Sequence, residues 1–194
     1  QQSSRYLLIN SGNANAATGQ QGLDNARACC AAVAAAGKVS VEEVLPFSTG
    51  VIAEQLNIEP VTRAISDLVD ELADDHWLSA AEAIMTTDTL PKAISVQLNI
   101  DNQAVTITGM AKGSGMIMPN MATMLASIVT DAAVEPSFLQ ECFRSANDSS
   151  FNAITVDGNT STNDTSLIMA NGAAGNQLIC SGTPDAAVFA EILN

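Results

Sequence analysis

The residues best placed to do chemistry lie between positions 111 and 129, AKGSGMIMPNMATMLASIV. A threonine, Thr123, follows a small residue, Ala122, after a glycine-rich segment and a Pro-Asn pair. A threonine hydroxyl is a poor nucleophile by itself. It becomes useful when a base lies within hydrogen-bond reach, and its own free α-amine is one such base. That amine has a pKa of about 7.7–8.0, so part of it is neutral near physiological pH. An internal threonine gains a free amine only if the preceding peptide bond is cut. The local sequence suits a cut: Ala122 leaves space around the bond, Pro119 and Asn120 restrict the approach, and Gly113 and Gly115 let backbone crowd close. On these features alone a structural strand threonine is favoured, because threonine is common in strands.

Other chemistries find less support. The single histidine, His76, stands beside Trp77 in a helical region, with no nucleophile elbow near it. It reads as a surface or interface histidine. The GSG at 113–115 lacks the Gly-Lys-Ser/Thr of a phosphate loop, and NGAAG at 171–175 fails as a dinucleotide fingerprint. The four cysteines, Cys29, Cys30, Cys142 and Cys180, form no CxxC pair and suggest neither a metal site nor a disulfide framework. They read as reduced, buried thiols of a cytoplasmic protein. No metal is expected. The formal net charge of -14, from 21 Asp+Glu against 7 Lys+Arg, argues against nucleic acid or anionic membrane as a partner. No apolar run reaches transmembrane length.

The elements that must position these residues can be read from pattern. With 47% hydrophobic and only 4% aromatic residues, the core must be built from Ala, Val, Ile, Leu and Met. A strand is expected over 6–9, then an Asn/Gly loop, then an alanine-rich helix over 23–36 stopped by Gly37. Ser40 and Glu43 form a capping box for a short helix, and PFSTGVI reads as a turn. A helix over 60–73 places Val61, Ile65, Leu68, Val69 and Leu72 on one face. Ser79 and Glu82 form a second capping box. Strands over 93–100 and 104–110 with a tight Asp101-Asn102 turn make a hairpin. A strand over 123–129, a helix over 136–146, two strands around the polar run 157–165, and a helix from 185 complete the order. This is a mixed α+β pattern with hairpins rather than a regular βαβ alternation, and no internal boundary is apparent. The polar start and the helix broken off at the end suggest a piece of a longer protein.

The motif KGSGMIMPNMATMLA resembles the self-cleavage segment of the glutamate N-acetyltransferase family, also called ornithine acetyltransferase, of arginine biosynthesis. LLINSGNANAATGQQGLDNARA, VLPFSTGVIAEQL, AIMTTDTLPK and SFNAITVDGNTSTNDT resemble further family signatures in the same order, so the likeness covers nearly the whole chain. It implies that the precursor cuts itself between Ala122 and Thr123. Residues 1–122 would then be an α-chain portion and 123–194 the start of a β chain, together the central part of one self-processing acetyltransferase. Thr123 would take acetyl from N2-acetylornithine and pass it to glutamate, with acetyl-CoA as a donor in some members. Thr49 and Gly50 match the pair that forms the oxyanion hole. Lys112 and Thr86 match substrate-binding residues, with Thr87 and Thr89 close enough to take the role of Thr86. The implied fold is a layered αββα-like sandwich, loosely like that of N-terminal-nucleophile hydrolases. The implied assembly pairs α and β chains into a heterotetramer, with no resident cofactor and a cytoplasmic location.

Two departures stand out. Family chains carry STGVIG where this sequence has STGVIA, with Ala53 in place of glycine. Family chains also extend past both ends, and a downstream glutamate and C-terminal residues complete their site. Two other readings compete with the acetyltransferase: a related self-processing amidohydrolase or aminopeptidase, and a folded but catalytically incomplete core. The polar run from Asp157 to Thr165 belongs near the site by resemblance. By sequence it reads equally as a loop satisfied by its own hydrogen bonds.

Overall fold

A computed structural model describes residues 4–116, 124–159 and 161–194. The chain is mixed α+β and divides into two compact units, Gln1–Leu90 and Pro91–Asn194. Nothing in composition marks that division, since AIMTTDTLPK crosses it without a glycine- or serine-rich linker.

In the first unit, β1 (Tyr6–Asn13), α1 (Gly19–Gly37) and β2 (Val44–Val51) form a βαβ crossover with the two strands parallel. α2 (Ile58–Asp70) and α3 (Trp77–Ala83) follow. The alanine-rich helix buries Cys30, Val33 and Ala34 against Val44 of β2 and Ile65 of α2, with Tyr6 and Leu8 of β1 packed around them. Gly37 does not stop α1 by turning left-handed. Lys38 takes that conformation (φ 54°), and Gly37 is needed because a Cβ there would lie 2.6 Å from the Tyr6 ring. The Ser40–Glu43 capping box is present and opens a 3₁₀ turn, Val41–Glu43. α2 starts two residues before the expected Pro60, because the Asn57 side chain caps it by accepting from the Glu59 N–H at 3.2 Å. Its inward row is Val61, Ile65 and Val69, spaced by four, with Ile65 buried and the two valines half-buried. Leu68 and Leu72, expected on that face, are exposed, since they fall on the neighbouring row and Leu72 lies past the helix end. α3 begins at Trp77 after His76, so Ser79 and Glu82 lie inside the helix rather than opening it.

In the second unit a four-stranded sheet runs β3-β4-β5-β6. β3 (Lys92–Ile100) and β4 (Gln103–Lys112) form the expected hairpin. Asp101 and Asn102 both have positive φ (52° and 61°), as the two-residue primed turn requires. β5 (Leu125–Thr130) is antiparallel to β4. α4 (Pro136–Ser149) then crosses over so that β6 (Thr165–Ala170) lies parallel to β5, a second βαβ unit that the pattern did not announce. Where a strand was expected at the start of FNAITV, Phe151–Ala153 is a 3₁₀ turn. α5 (Pro184–Leu193) closes the core, where Phe189 and Ala186 pack with Ile100, Val105, Ile107 and Ile179. Burying a side chain the size of Phe189 contributes roughly 1.5–3 kcal/mol.

Candidate active-site segments

The STG motif is not a turn. Ser48, Thr49 and Gly50 are the last paired residues but one of β2, in register with Asn10, Ser11 and Gly12 of β1. The strand holds because β1 supplies the partner for its whole length. Thr49 is buried, at 1% exposure. Gly50 has φ 130°, which excludes other residues, and a Cβ there would lie 2.3 Å from the Gly12 carbonyl carbon. The two backbones therefore touch, and Gly50 can turn its peptide group out of the regular ladder orientation. The asparagine-rich loop after β1 is fastened to the segment after β2. The Asn15 N–H donates to Ser48 Oγ at 2.8 Å, the Ala14 N–H to Val51 O at 2.8 Å and the Ala53 N–H to Ala16 O at 2.9 Å. Ala53 itself is left-handed, with φ 65°. Glycine in the STGVIG form of this motif meets that demand without strain.

The segment carrying Thr86 reaches the same end of this strand pair. Ser11, the register partner of Thr49, donates from Oγ to Ala83 O at 2.7 Å, where α3 ends. Beyond it Thr86, Thr87 and Thr89 are exposed, whereas Asp88 is buried and its Oδ2 lies 3.5 Å from the Thr86 N–H. The aspartate shapes the turn that carries the three threonines, and no pattern in the sequence singles it out. His76 is exposed at the start of α3, its Nδ1 3.1 Å from Glu71 O, consistent with a surface histidine.

In the second unit Lys112 ends β4 opposite Leu125, and it is 1% exposed. A lysine so buried requires compensating charge, and its positive charge reaches Asp164. Ala122 and Thr123 lie outside the described residues, in the connection between β4 and β5. The residues flanking 117–123 are both held by carboxylates of the 157–165 run. Asp157 Oδ2 accepts from the Met116 N–H at 2.6 Å, and Asp164 Oδ1 accepts from the Met124 N–H at 2.5 Å. Local bonds exist too: the Asn159 N–H donates to Asp157 Oδ1 and the Asn163 N–H to Ser161 Oγ. The run nevertheless spends its two carboxylates on the approach to and exit from the expected cleavage segment. Composition and spacing alone assign these aspartates no roles of their own. Burial pushes the Asp164 carboxyl up to about 6, against the opposing pull of the Met124 N–H and of Lys112. Burial also raises the thiols of Cys29, Cys30 and Cys142, which suits inert, unpaired cysteines.

Among the described residues no helix is long and apolar enough to cross a membrane. The family model that matches, the ArgJ family, covers residues 1–194. The chain is 53% identical over 189 residues to the arginine biosynthesis bifunctional protein ArgJ of Geobacter sulfurreducens, covering 97% of this chain and 48% of that protein. It is 51% identical over 177 residues to the protein of the same name from Psychrobacter arcticus, covering 91% of this chain and 44% of that one. The chain thus spans about half the length of the curated relatives it matches. The crystal structure of the arginine biosynthesis bifunctional protein argJ from Bacillus halodurans is similar, with a TM-score of 0.54 and 40% identity over 60% of this chain and 61% of that one. The chain belongs to the ArgJ family.

Proposed function

We propose that this chain is the central part of a self-processing acyltransferase that moves acetyl from N2-acetylornithine to glutamate. The observation that carries the reading is the pair of aspartates, Asp157 and Asp164, holding Met116 and Met124 on either side of residues 117–123. A connection that merely joined β4 to β5 would not need its two flanks fixed by charged acceptors, which make the stronger hydrogen bonds.

In the maturation step the Thr123 hydroxyl attacks the Ala122 carbonyl carbon. The C–N bond breaks as the C–O ester forms, and the freed nitrogen takes the proton. Water then hydrolyses the ester, leaving the Ala122 carboxylate and Thr123 with a free amine and hydroxyl. Residues 1–122 become part of an α chain and residues from 123 onward a β chain, which stay paired and assemble as a heterotetramer. In turnover the Thr123 amine takes the hydroxyl proton as the oxygen attacks the acetyl carbonyl, ornithine leaves, and the glutamate amine then attacks the acetyl ester. Thr49 and Gly50 stabilise the oxyanion, where one donor is typically worth about 10²–10³ in rate. Lys112 pairs with a substrate carboxylate, and Thr86 contacts substrate. Acetyl-CoA is a candidate second donor, no resident cofactor is needed, and the enzyme works in the cytoplasm.

An intact mass spectrum of the full-length protein under denaturing conditions tests this. Two masses summing to the precursor plus one water, one starting at Thr123, are expected. A single mass for Thr123→Ala and two for the parent would tie the cut to that hydroxyl. An uncut, active parent would overturn the reading.

A further inference from the structure

Ser11 joins two segments that lie 72 residues apart in the chain. It is the register partner of Thr49 across the parallel β1–β2 pair, where neighbouring strands lie about 4.8 Å apart, and the next pair in register is Gly12 and Gly50. Its Oγ donates to Ala83 O at 2.7 Å. Ala83 is the last residue of α3, and its carbonyl is one of those that a helix end leaves without an intrahelical donor. The bond is exposed, so water competes for both groups and the bond adds little to stability. What it supplies is position. Past Ala83, the N–H of buried Ile84 stays bonded to Ala80 O at 3.2 Å and that of Met85 to Glu82 O at 3.2 Å. Thr86 follows, exposed, with its Cα within about 11 Å of that of Ala83 by chain length. Asp88, buried between exposed neighbours, brings its Oδ2 to 3.5 Å from the Thr86 nitrogen. Little slack is left between Ser11 and Thr86.

We propose that Ser11 is a positioning residue for substrate, its bond to Ala83 holding Thr86 at a set distance from the Thr49–Gly50 end of β2 so that one bound molecule meets both segments. This rests on the reading of Thr49, Gly50 and Thr86 given above. Ser11 touches no substrate itself. Two contacts on one molecule act together only when their separation is preset, and a misplacement of about 1 Å can cost around 10² in rate. Without the bond the exit of α3 is free to shift, while the β1–β2 pairing and the Asp88 turn stay intact. The link needs a hydroxyl donor at position 11. Alanine has none, whereas threonine keeps one on a side chain that suits a strand.

The test compares the full-length parent with Ser11→Ala, Ser11→Thr, Thr86→Val and the double variant Ser11→Ala/Thr86→Val. It measures kcat and KM for acetyl transfer from N2-acetylornithine to glutamate, and the urea midpoint of each protein. Ser11→Ala should lower kcat/KM about tenfold or more with its urea midpoint little changed. Ser11→Thr should recover most of that loss. Coupling separates positioning from a merely structural role: if Ser11 acts through Thr86, the double variant should fall no further than Thr86→Val alone. Losses that multiply in the double variant overturn the proposal, as does a Ser11→Ala protein with kcat/KM within about twofold of the parent beside an impaired Thr86→Val. A Ser11→Ala protein that does not fold also overturns it, because the bond would then serve stability. A Thr86→Val protein with parent kinetics would instead remove the reading of Thr86, and the proposal with it.

Discussion

Gly12 and Gly50 face each other across β1 and β2 so closely that a Cβ on Gly50 would lie 2.3 Å from the Gly12 carbonyl carbon and 2.4 Å from its oxygen. The contact is one-sided. Gly12 also has positive φ (99°), but a Cβ there meets nothing within 4 Å. Gly50→Ala therefore combines backbone strain with a collision against main chain, which cannot rotate aside. Gly12→Ala carries strain alone. Strain of this kind costs of order 1–3 kcal/mol, so Gly12→Ala should fall in that range and Gly50→Ala above it. Urea denaturation of both variants checks the order. Equal losses would mean that β1 and β2 separate at this end without penalty.

Ala53 gives the opposite sign. Its φ of 65° places an L side chain in the left-handed region, and it is exposed, so no packing repays the strain. A left-handed alanine costs about 1–2 kcal/mol, while glycine's extra freedom in the unfolded chain costs about 0.4–1 kcal/mol. Ala53→Gly should stabilise the protein by about 0.5–1 kcal/mol, seen as a higher urea midpoint with unchanged slope. A lower midpoint would show that this turn relaxes when its side chain is removed.

The same residues show what was legible in the sequence. The hairpin could be read because Asp101 and Asn102 carry their turn chemistry locally. The inward row of α2 was half legible: spacing identified Val61, Ile65 and Val69, but not that Leu68 and Leu72 would be left exposed, which depends on what packs beside the helix. The strand at 44–51 was hidden. Pro46, Ser48 and Gly50 are poor strand formers, and only parallel pairing with β1, distant in sequence, makes them one. Both βαβ crossovers are long-range facts of this kind. At the candidate site, resemblance supplied Thr49, Gly50, Thr86, Lys112, Ala122 and Thr123. Resemblance placed Asp157 and Asp164 near the site only as members of a polar run, and Asp88 not at all, because acidic residues in polar runs look alike until the structure shows which backbone N–H each one holds.

Thr49 separates a catalytic hydroxyl from a packed one. It is buried at 1% exposure on a strand held by β1. Thr49→Val keeps the branched shape and removes the hydroxyl, so stability should change by no more than about 1 kcal/mol, the usual size of one hydrogen bond. If the hydroxyl meets the oxyanion, kcat should fall about 10²–10³-fold with KM little altered. Steady-state kinetics of acetyl transfer checks this. A kcat loss that only tracks unfolding would make Thr49 a core residue.

Asp164 also leaves a signature in stability, with a sign opposite to that of most carboxylates. Glu43 and Glu135 accept hydrogen bonds from Ser40, and from Ser137 and Phe138, and are held below their usual range. Each stabilises the fold above its ordinary pKa, and that contribution is lost as pH falls. Asp164 is raised from 3.8 to about 6, so between those values the folded chain binds more protons than the unfolded one. By linkage, its contribution to stability rises as pH falls from about 6 toward 4 and is smallest above 6. Comparing the parent with Asp164→Asn cancels the other carboxylates. The stability of the parent relative to Asp164→Asn should be greater at pH 4.5 than at pH 7.5, as read from urea midpoints. A constant or reversed difference would mean that the Lys112 charge and the Met124 N–H together outweigh burial at this carboxyl, leaving it ionised throughout.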